Sequence, residues 1–374
     1  MTDNPRPTRI LHITFNMSIG GTEQVIRQLV STLADADYDN RILCIDGKVG
    51  EIGQQLVKDG TKVTALQRNP GFDLDLVRGI RAQIRSFGAT VVHCHQYTPW
   101  VYGWLASYGT GAKVVFTEHG RFFPDRHRYK AILINPLMAL MTPKIIAISS
   151  ATKRALSRYE FIPRSKIRVI YNGIAPLTRN ERAAANIRKS LDIGESDFVM
   201  GTVARLDPVK NQAMMLQAFA MVLAENPNCW LLMVGDGPER AALERQAHNL
   251  NISHRVAFTG FIEAPANFLA AMDLFLLSSN TEGTSMTLLE AMSLGLPTVA
   301  TEAGGTPEIV AHAETGLLTP VGNVSAFAEG IAHIIKDKEL RQRLGAASVR
   351  LFERRFSATS MAGAYSKIYD GKQL

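Results

Sequence analysis

Apolar residues in this chain fall into short runs of strand length, separated by stretches where they recur at helical spacing. The first run, Arg9-Ile-Leu-His-Ile-Thr-Phe15, is β-branched and apolar and reads as a buried strand. Asn16-Met-Ser-Ile-Gly-Gly21 makes a glycine-containing turn, and from Thr22 onward Val25, Leu29 and Leu33 keep to one helix face. The same reading predicts strands at 41–45, 63–65, 91–94, 114–117 and 145–148, with helices at 52–59, 74–87, 100–108 and 152–158. The stretch 174–195, charged and carrying Pro176, reads as a connection plus one helix. The pattern then restarts, with strands at 198–203, 230–234, 256–259, 274–277 and 298–300 and helices at 212–226, 239–249 and 285–294.

Alternation of this kind predicts an α/β fold with parallel sheets covered by helices on both faces. The expected division is a first domain at 1–180, a second at 181–355 and a terminal segment at 356–374. Two doubly wound halves predict ligand binding outside the carboxyl ends of their strands, in a cleft between them.

Composition narrows the class. In 374 residues, 46% are hydrophobic and 20% charged, which excludes wholesale disorder. Cys44, Cys94 and Cys229 are too far apart for a zinc motif and too few for a disulfide framework, so a reducing, cytoplasmic setting is expected. No run reaches the roughly 18 apolar residues that a membrane span needs. The net charge of +7 is unevenly spread. Residues 1–190 hold 27 Lys and Arg against 14 Asp and Glu, whereas 191–374 hold 14 against 20, so an anionic partner is expected for the first half. The densest basic stretch, beginning at Arg121, runs directly into apolar residues ending at Leu140. That juxtaposition fits contact with an anionic membrane surface, and equally a basic loop leading into a core helix. Nucleic acid is disfavoured, because no basic stripe carries interleaved stacking aromatics.

Candidate chemistry gathers at strand ends. Ser278-Ser-Asn-Thr-Glu-Gly-Thr-Ser-Met-Thr-Leu-Leu-Glu290 leads from a strand into a helix. Its helix start, at Thr284, Ser285, Met286 and Thr287, predicts an anion site, and Gly283 predicts a close backbone approach. Glu290, two turns into the helix by this reading, suits a neutral group such as a ribose hydroxyl. Arg205 and Lys210, on one strand-end loop, suit a diphosphate. In the first half Gly20 and Gly21 form another close-approach turn, and His119 lies just past a strand end. His93 and His95 are expected on opposite faces of their strand, a poor metal pair. The Asp-x-Asp pairs Asp35/Asp37, Asp37/Asp39 and Asp73/Asp75 read as helix-terminal or capping residues rather than metal ligands.

These pieces resemble the family 4 glycosyltransferases. Glu282 to Glu290 is similar to that family's E-x7-E signature, continuing into Ala-Met-Ser-Leu-Gly-Leu-Pro-Thr-Val-Ala300. Arg205 and Lys210 resemble its donor-phosphate pair. Gly20-Gly21, Thr117-Glu-His-Gly120, Gly235-Asp-Gly-Pro238 and Gly304-Gly-Thr-Pro-Glu308 follow in the expected order. The resemblance implies the GT-B fold of two facing Rossmann-like domains. It also implies a nucleotide-sugar donor, most often a UDP-sugar, a retained anomeric configuration and no metal or other cofactor. It assigns Arg205 and Lys210 to the leaving diphosphate, Glu290 to the ribose, Glu282 and His119 to the sugar, and the Gly20-Gly21 loop to the neighbourhood of the diphosphate. The family's final helix often crosses back to the first domain, as 356–374 is expected to do. Together with the basic stretch, the resemblance implies a saccharide or a polyprenyl- or other lipid-linked acceptor in cell-surface polysaccharide or glycolipid synthesis. Many members have Phe-Gly after the first Glu where this chain has Gly283-Thr284, which weakens inference about the sugar. A sugar-nucleotide epimerase of the same architecture, and a non-catalytic nucleotide-sugar binding protein, are the competing readings.

Overall fold

The computed structural model describes residues 7–34, 37–120 and 132–372. The chain divides into two compact units, Met1–Ala175 with Ala358–Leu374, and Pro176–Ser357.

In the first unit the strands are β1 (Thr8–Thr14), β2 (Tyr38–Cys44), β3 (Lys62–Ala65), β4 (Val91–His95), β5 (Lys113–Glu118), β6 (Lys144–Ala147) and β7 (Ile167–Val169). They form one parallel sheet in the order β3-β2-β1-β4-β5-β6-β7. Parallel neighbours need crossover helices, which cover the faces, so the central strands are buried on both sides. Phe116 and Trp100, both buried, stack at 4.3 Å within this core, and the indole N–H donates to Thr142 Oγ1 at 3.0 Å. The helix Leu74–Phe87 begins where Asp73 accepts the Leu76 N–H and ends at Gly88 in the left-handed conformation. That capping role is the one expected for Asp73. Asp75 pairs with Arg78 at 2.8 Å, whereas Asp35 lies outside the described residues. The terminal helix Ala358–Tyr369 packs in this unit, against the helix Gly21–Leu33.

The second unit repeats the plan with β8 (Phe198–Val203), β9 (Cys229–Val234), β10 (Val256–Gly260), β11 (Leu274–Leu277), β12 (Thr298–Thr301) and β13 (Leu317–Thr319), ordered β10-β9-β8-β11-β12-β13 and all parallel. Its core joins Met200, Leu231, Met233, Leu274 and Leu276 to Phe219 and Phe327 of the covering helices. β7 and β13 escape the sequence reading because three residues show no periodicity. The helix in the connection is Glu181–Ser190, capped by Asn180.

In each sheet the order of connection reverses once, between β1 and β4 in the first unit and between β8 and β11 in the second. Crossovers leave in opposite directions there, opening a crevice at the carboxyl ends of the strands.

Candidate functional site

In the second unit the reversal point collects the predicted donor residues. The loop after β8 carries Arg205 and Lys210, and the loop after β11 carries Glu282. The Lys210 ammonium donates to Glu282 Oε1 at 2.5 Å, and Ser279 Oγ donates to the same oxygen at 2.6 Å. The Glu282 side chain is only 8% exposed. Charge-assisted bonds of this length are strong and fix both partners.

Several contacts hold the two loops together. Ser278 Oγ donates to the Lys210 carbonyl at 2.9 Å and the Asn280 N–H donates to the Val209 carbonyl at 2.8 Å, while Thr301 Oγ1 at the end of β12 donates to the Ser279 carbonyl at 2.6 Å and fixes the β11 loop from its other side. Asn211, in the left-handed conformation, starts the helix Gln212–Glu225. The Gly305 N–H donates to the Glu282 carbonyl at 2.9 Å, and a Cβ at Gly304, which also has φ +54°, would collide with that carbonyl. Gly304 is therefore a glycine this site requires; Gly283 has no positive φ. Gly235 and Gly237 meet the same demand against the carbonyls of Ala204 and Leu206.

The predicted helix start is Met286–Ser293, with Ser285 as N-cap accepting the Leu288 N–H at 3.3 Å. Gly283, Thr284, Met286 and Thr287 are half-buried around it, and Glu290 stands just over one turn in, less deep than expected. The structure thus brings Lys210, Glu282 and the Ser285 turn to one reversal point. Arg205 sits on the same loop, but its side chain is 71% exposed and only 3.9 Å from Asp207, so it is not fixed.

The first unit's reversal point is built differently. Four imidazoles lie together: His12 on β1, His93 and His95 on β4, and His119 just after β5. The expectation that His93 and His95 face apart is wrong. Residues two apart on a strand share a face, and the two rings lie 4.0 Å apart. Both are fully buried, as is His12.

His12 Nε2 bonds Asn40 Oδ1 at 3.1 Å, His12 Nδ1 bonds His95 Nε2 at 3.1 Å, and His95 Nδ1 bonds His119 Nε2 at 2.9 Å. His93 is held by Tyr369 Oη at 2.7 Å and Thr117 Oγ1 at 2.8 Å, and Tyr365 Oη reaches Thr117 Oγ1 at 3.0 Å. Burial lowers the pKa of His12 to about 4 and that of His119 to about 3. His93 and His95 are pushed well below the ordinary histidine value by burial and then by the neighbouring rings. All four are neutral near pH 7. The i, i+2 spacing of His93 and His95 beside His12 was the sequence signal for this cluster.

Gly20 and Gly21 stand where β1 feeds the helix Gly21–Leu33. Gly20 is extended, with φ −170°, so its backbone does not require glycine. The loop is pinned from the other side: Met17 N–H donates to Val49, and a Cβ at Gly50 would strike Ser18 N. Glu23 in the first helical turn has its pKa raised by burial, with Asp46 adding to the shift. Gln96, at the end of β4, has φ 73°, a strained value for a non-glycine residue and one that clusters at functional sites.

Known proteins share this plan. A model of glycosyl transferases group 1 matches residues 184–350, and a model of glycosyltransferase family 4 matches residues 19–176. N-acetyl-alpha-D-glucosaminyl L-malate synthase of Bacillus anthracis is 26% identical over 366 residues, covering 96% of this chain and 95% of that protein. A UDP-Gal:alpha-D-GlcNAc-diphosphoundecaprenol alpha-1,3-galactosyltransferase of Escherichia coli is 25% identical over 355 residues, covering 89% of each. The crystal structure of Anabaena HepE in complex with UDP superposes with a TM-score of 0.86 at 23% identity, covering 97% of this chain and all of that one, which establishes the shared fold. The two family matches lie one in each unit and adjoin across most of the chain. With the fold and the E-x7-E loop in place, they show that this chain is a glycosyltransferase of the family 4 type, with the GT-B fold.

Proposed function

We propose that this enzyme moves a hexose-type sugar from UDP to a saccharide or lipid-linked acceptor, with the anomeric configuration kept and no metal required. The observation that carries the reading is the Lys210–Glu282–Ser279 cluster at the β8/β11 reversal. One similar protein, Anabaena HepE, is solved in complex with UDP, and one similar enzyme is named for a UDP-galactose donor and a diphosphoundecaprenol-linked acceptor. In this reading the donor diphosphate takes Lys210 from Glu282. Its charge grows as the sugar leaves, so a cation already in place lowers the barrier where charge develops. The released Glu282 carboxylate, still held by Ser279, then accepts hydrogen bonds from sugar hydroxyls. Glu290 takes the ribose, the amides around Thr284 and Thr287 face the phosphates, and exposed Arg205 closes on them when the donor arrives. His119 is assigned a hydroxyl of the transferred sugar. A donor phosphate oxygen accepts the acceptor's proton on the face the leaving group departs from.

A panel of nucleotide sugars tested by thermal shift identifies the donor, because a ligand that favours the folded state raises Tm. UDP-sugars should shift Tm most, and a panel without any shift from UDP or its sugars contradicts the reading. Transfer should persist in excess EDTA; full loss restored by Mn2+ would contradict the metal-free route.

The reading extends to an anionic membrane surface beside the acceptor. Arg121 and its basic neighbours lie outside the described residues. The helix Ile134–Met141 that follows buries Asn135, Met138 and Ala139 and exposes Ile134, Leu137, Leu140 and Met141, with Leu133 before it. An exposed apolar face next to basic sequence fits interfacial docking better than a core helix. Among the described residues no helix is long and apolar enough to cross a membrane. Flotation with anionic liposomes at low salt should carry the protein up, and an absence of binding there would remove the membrane from the proposal.

A further inference from the structure

We propose that Asn40, His12 and His95 form a hydrogen-bonded line that fixes the tautomer of His119, making them positioning residues for glycosyl transfer. The proposal rests on the assignment of His119 to a sugar hydroxyl. The line follows from counting protons. A neutral imidazole has one N–H and one lone pair. With the Asn40 amide oriented as it is, Oδ1 toward His12 and Nδ2 without a partner among the described residues, Oδ1 only accepts, so His12 Nε2 carries the hydrogen and His12 Nδ1 the lone pair. That lone pair accepts the N–H of His95 Nε2, and the lone pair on His95 Nδ1 accepts the N–H of His119 Nε2. The three rings therefore share the Nε2–H tautomer. Turning one of them alone would set two N–H groups or two lone pairs face to face in a buried place, leaving hydrogen bonds unmade.

The line ends at His119 Nδ1, which is buried and has no hydrogen-bond partner among the described residues. It is left holding a lone pair, ready to accept from a hydroxyl and unable to donate to one. Burial keeps all three rings neutral, so the line does not lose its direction by protonation near pH 7. His93 lies against the line but stays outside it, because Tyr369 and Thr117 take both of its nitrogens. Two rings of the line, His12 and His95, together with His93 beside it, place ligand atoms within 4.8 Å of one another, a spacing a metal ion also fits. A cation there would need lone pairs that the line already uses, so the two arrangements exclude each other.

The test uses the full chain labelled with 15N-histidine. Ring-nitrogen NMR should show His12, His95 and His119 as Nε2–H tautomers in the wild type and in Asn40→Asp, whose carboxylate also only accepts. In Asn40→Leu, a change at a half-buried site, His119 should become a mixture of tautomers. Sugar transfer by Asn40→Leu should fall about tenfold, the effect of one lost hydrogen bond. In a His119→Asn background, which severs the line at its end, Asn40→Leu should cost nothing further. Three results would each overturn the proposal: a wild-type His119 protonated at Nδ1, a single His119 tautomer surviving in Asn40→Leu, or equal losses from Asn40→Leu in both backgrounds. Stoichiometric uptake of Zn2+ from added zinc chloride that moves the His12 and His95 resonances would overturn it in favour of a metal site. Failure of the wild type to transfer any sugar would refute the proposed function but leave the tautomer measurement able to judge the line.

Discussion

The two sheets have the same strand plan and one reversal point each, yet they furnish those points with opposite chemistry. In the second unit the strand-end loops bring an ammonium against a carboxylate, Lys210 on Glu282, with exposed Arg205 beside them. In the first unit the sheet itself encloses four neutral imidazoles tied to one another, to Asn40 and Thr117, and to the tyrosines of the terminal helix. The histidines of the second unit, His248, His254, His312 and His333, are all exposed. In the proposed function one fold serves two tasks: gripping a charged group with charges on loops, and presenting a hydrogen-bonding group whose direction is set by a buried network.

Acidification should separate the two units most strongly. Above pH 6.5 His12 is neutral in both the folded and the unfolded chain. As pH falls, the unfolded chain takes up the proton near 6.5, while burial delays this in the folded state to about 4. Across that window the unfolded state binds more protons, so stability is lost as pH drops, by about 3 kcal/mol for His12 alone. Hydrogen exchange followed from pH 7 to 4.5 should show β1 and β4 losing protection before β8 and β11. Simultaneous loss in both sheets would break the contrast.

Lys210→Ala should lower kcat by about 10²-fold, as removal of a single charge-stabilising donor does elsewhere. Near-normal turnover would mean that Lys210 serves only to hold Glu282. Gly304→Ala should cost about 1–3 kcal/mol through strain at a positive φ and collision with the Glu282 carbonyl. Its melting curve should fall while protection in the first unit stays put. Arg205→Ala should have the smallest effect on the free protein, with a stability within about 0.5 kcal/mol of the wild type because its side chain is exposed. Its defect should appear only when donor is present.

Much of this was legible in the sequence. Phe198–Val203 and Leu274–Leu277 fall where the apolar runs put them, and the helix Leu74–Phe87 matches its predicted span. Lys210 and Glu282 were readable as site residues because each follows a strand by a few positions. Their direct pairing was not, since it depends on β8 and β11 being neighbours, which is a fact of sheet order. Gly304 was legible as part of a motif, but the reason it must be glycine was not, since the carbonyl it clears belongs to a loop 22 positions earlier. The histidine cluster was misread because strand alternation was misapplied: residues two apart share a face, and the spacing was in plain view. Asn40 and the terminal tyrosines joined it only through tertiary contact.

The most direct measurement is calorimetric titration of UDP into the wild type, Lys210→Ala and His119→Ala. If the second unit holds the diphosphate, Lys210→Ala should weaken Kd about tenfold or more, whereas His119→Ala should leave it within about twofold. Equal affinity in the wild type and Lys210→Ala, or a loss on His119→Ala as large as on Lys210→Ala, would contradict the division of labour between the two units.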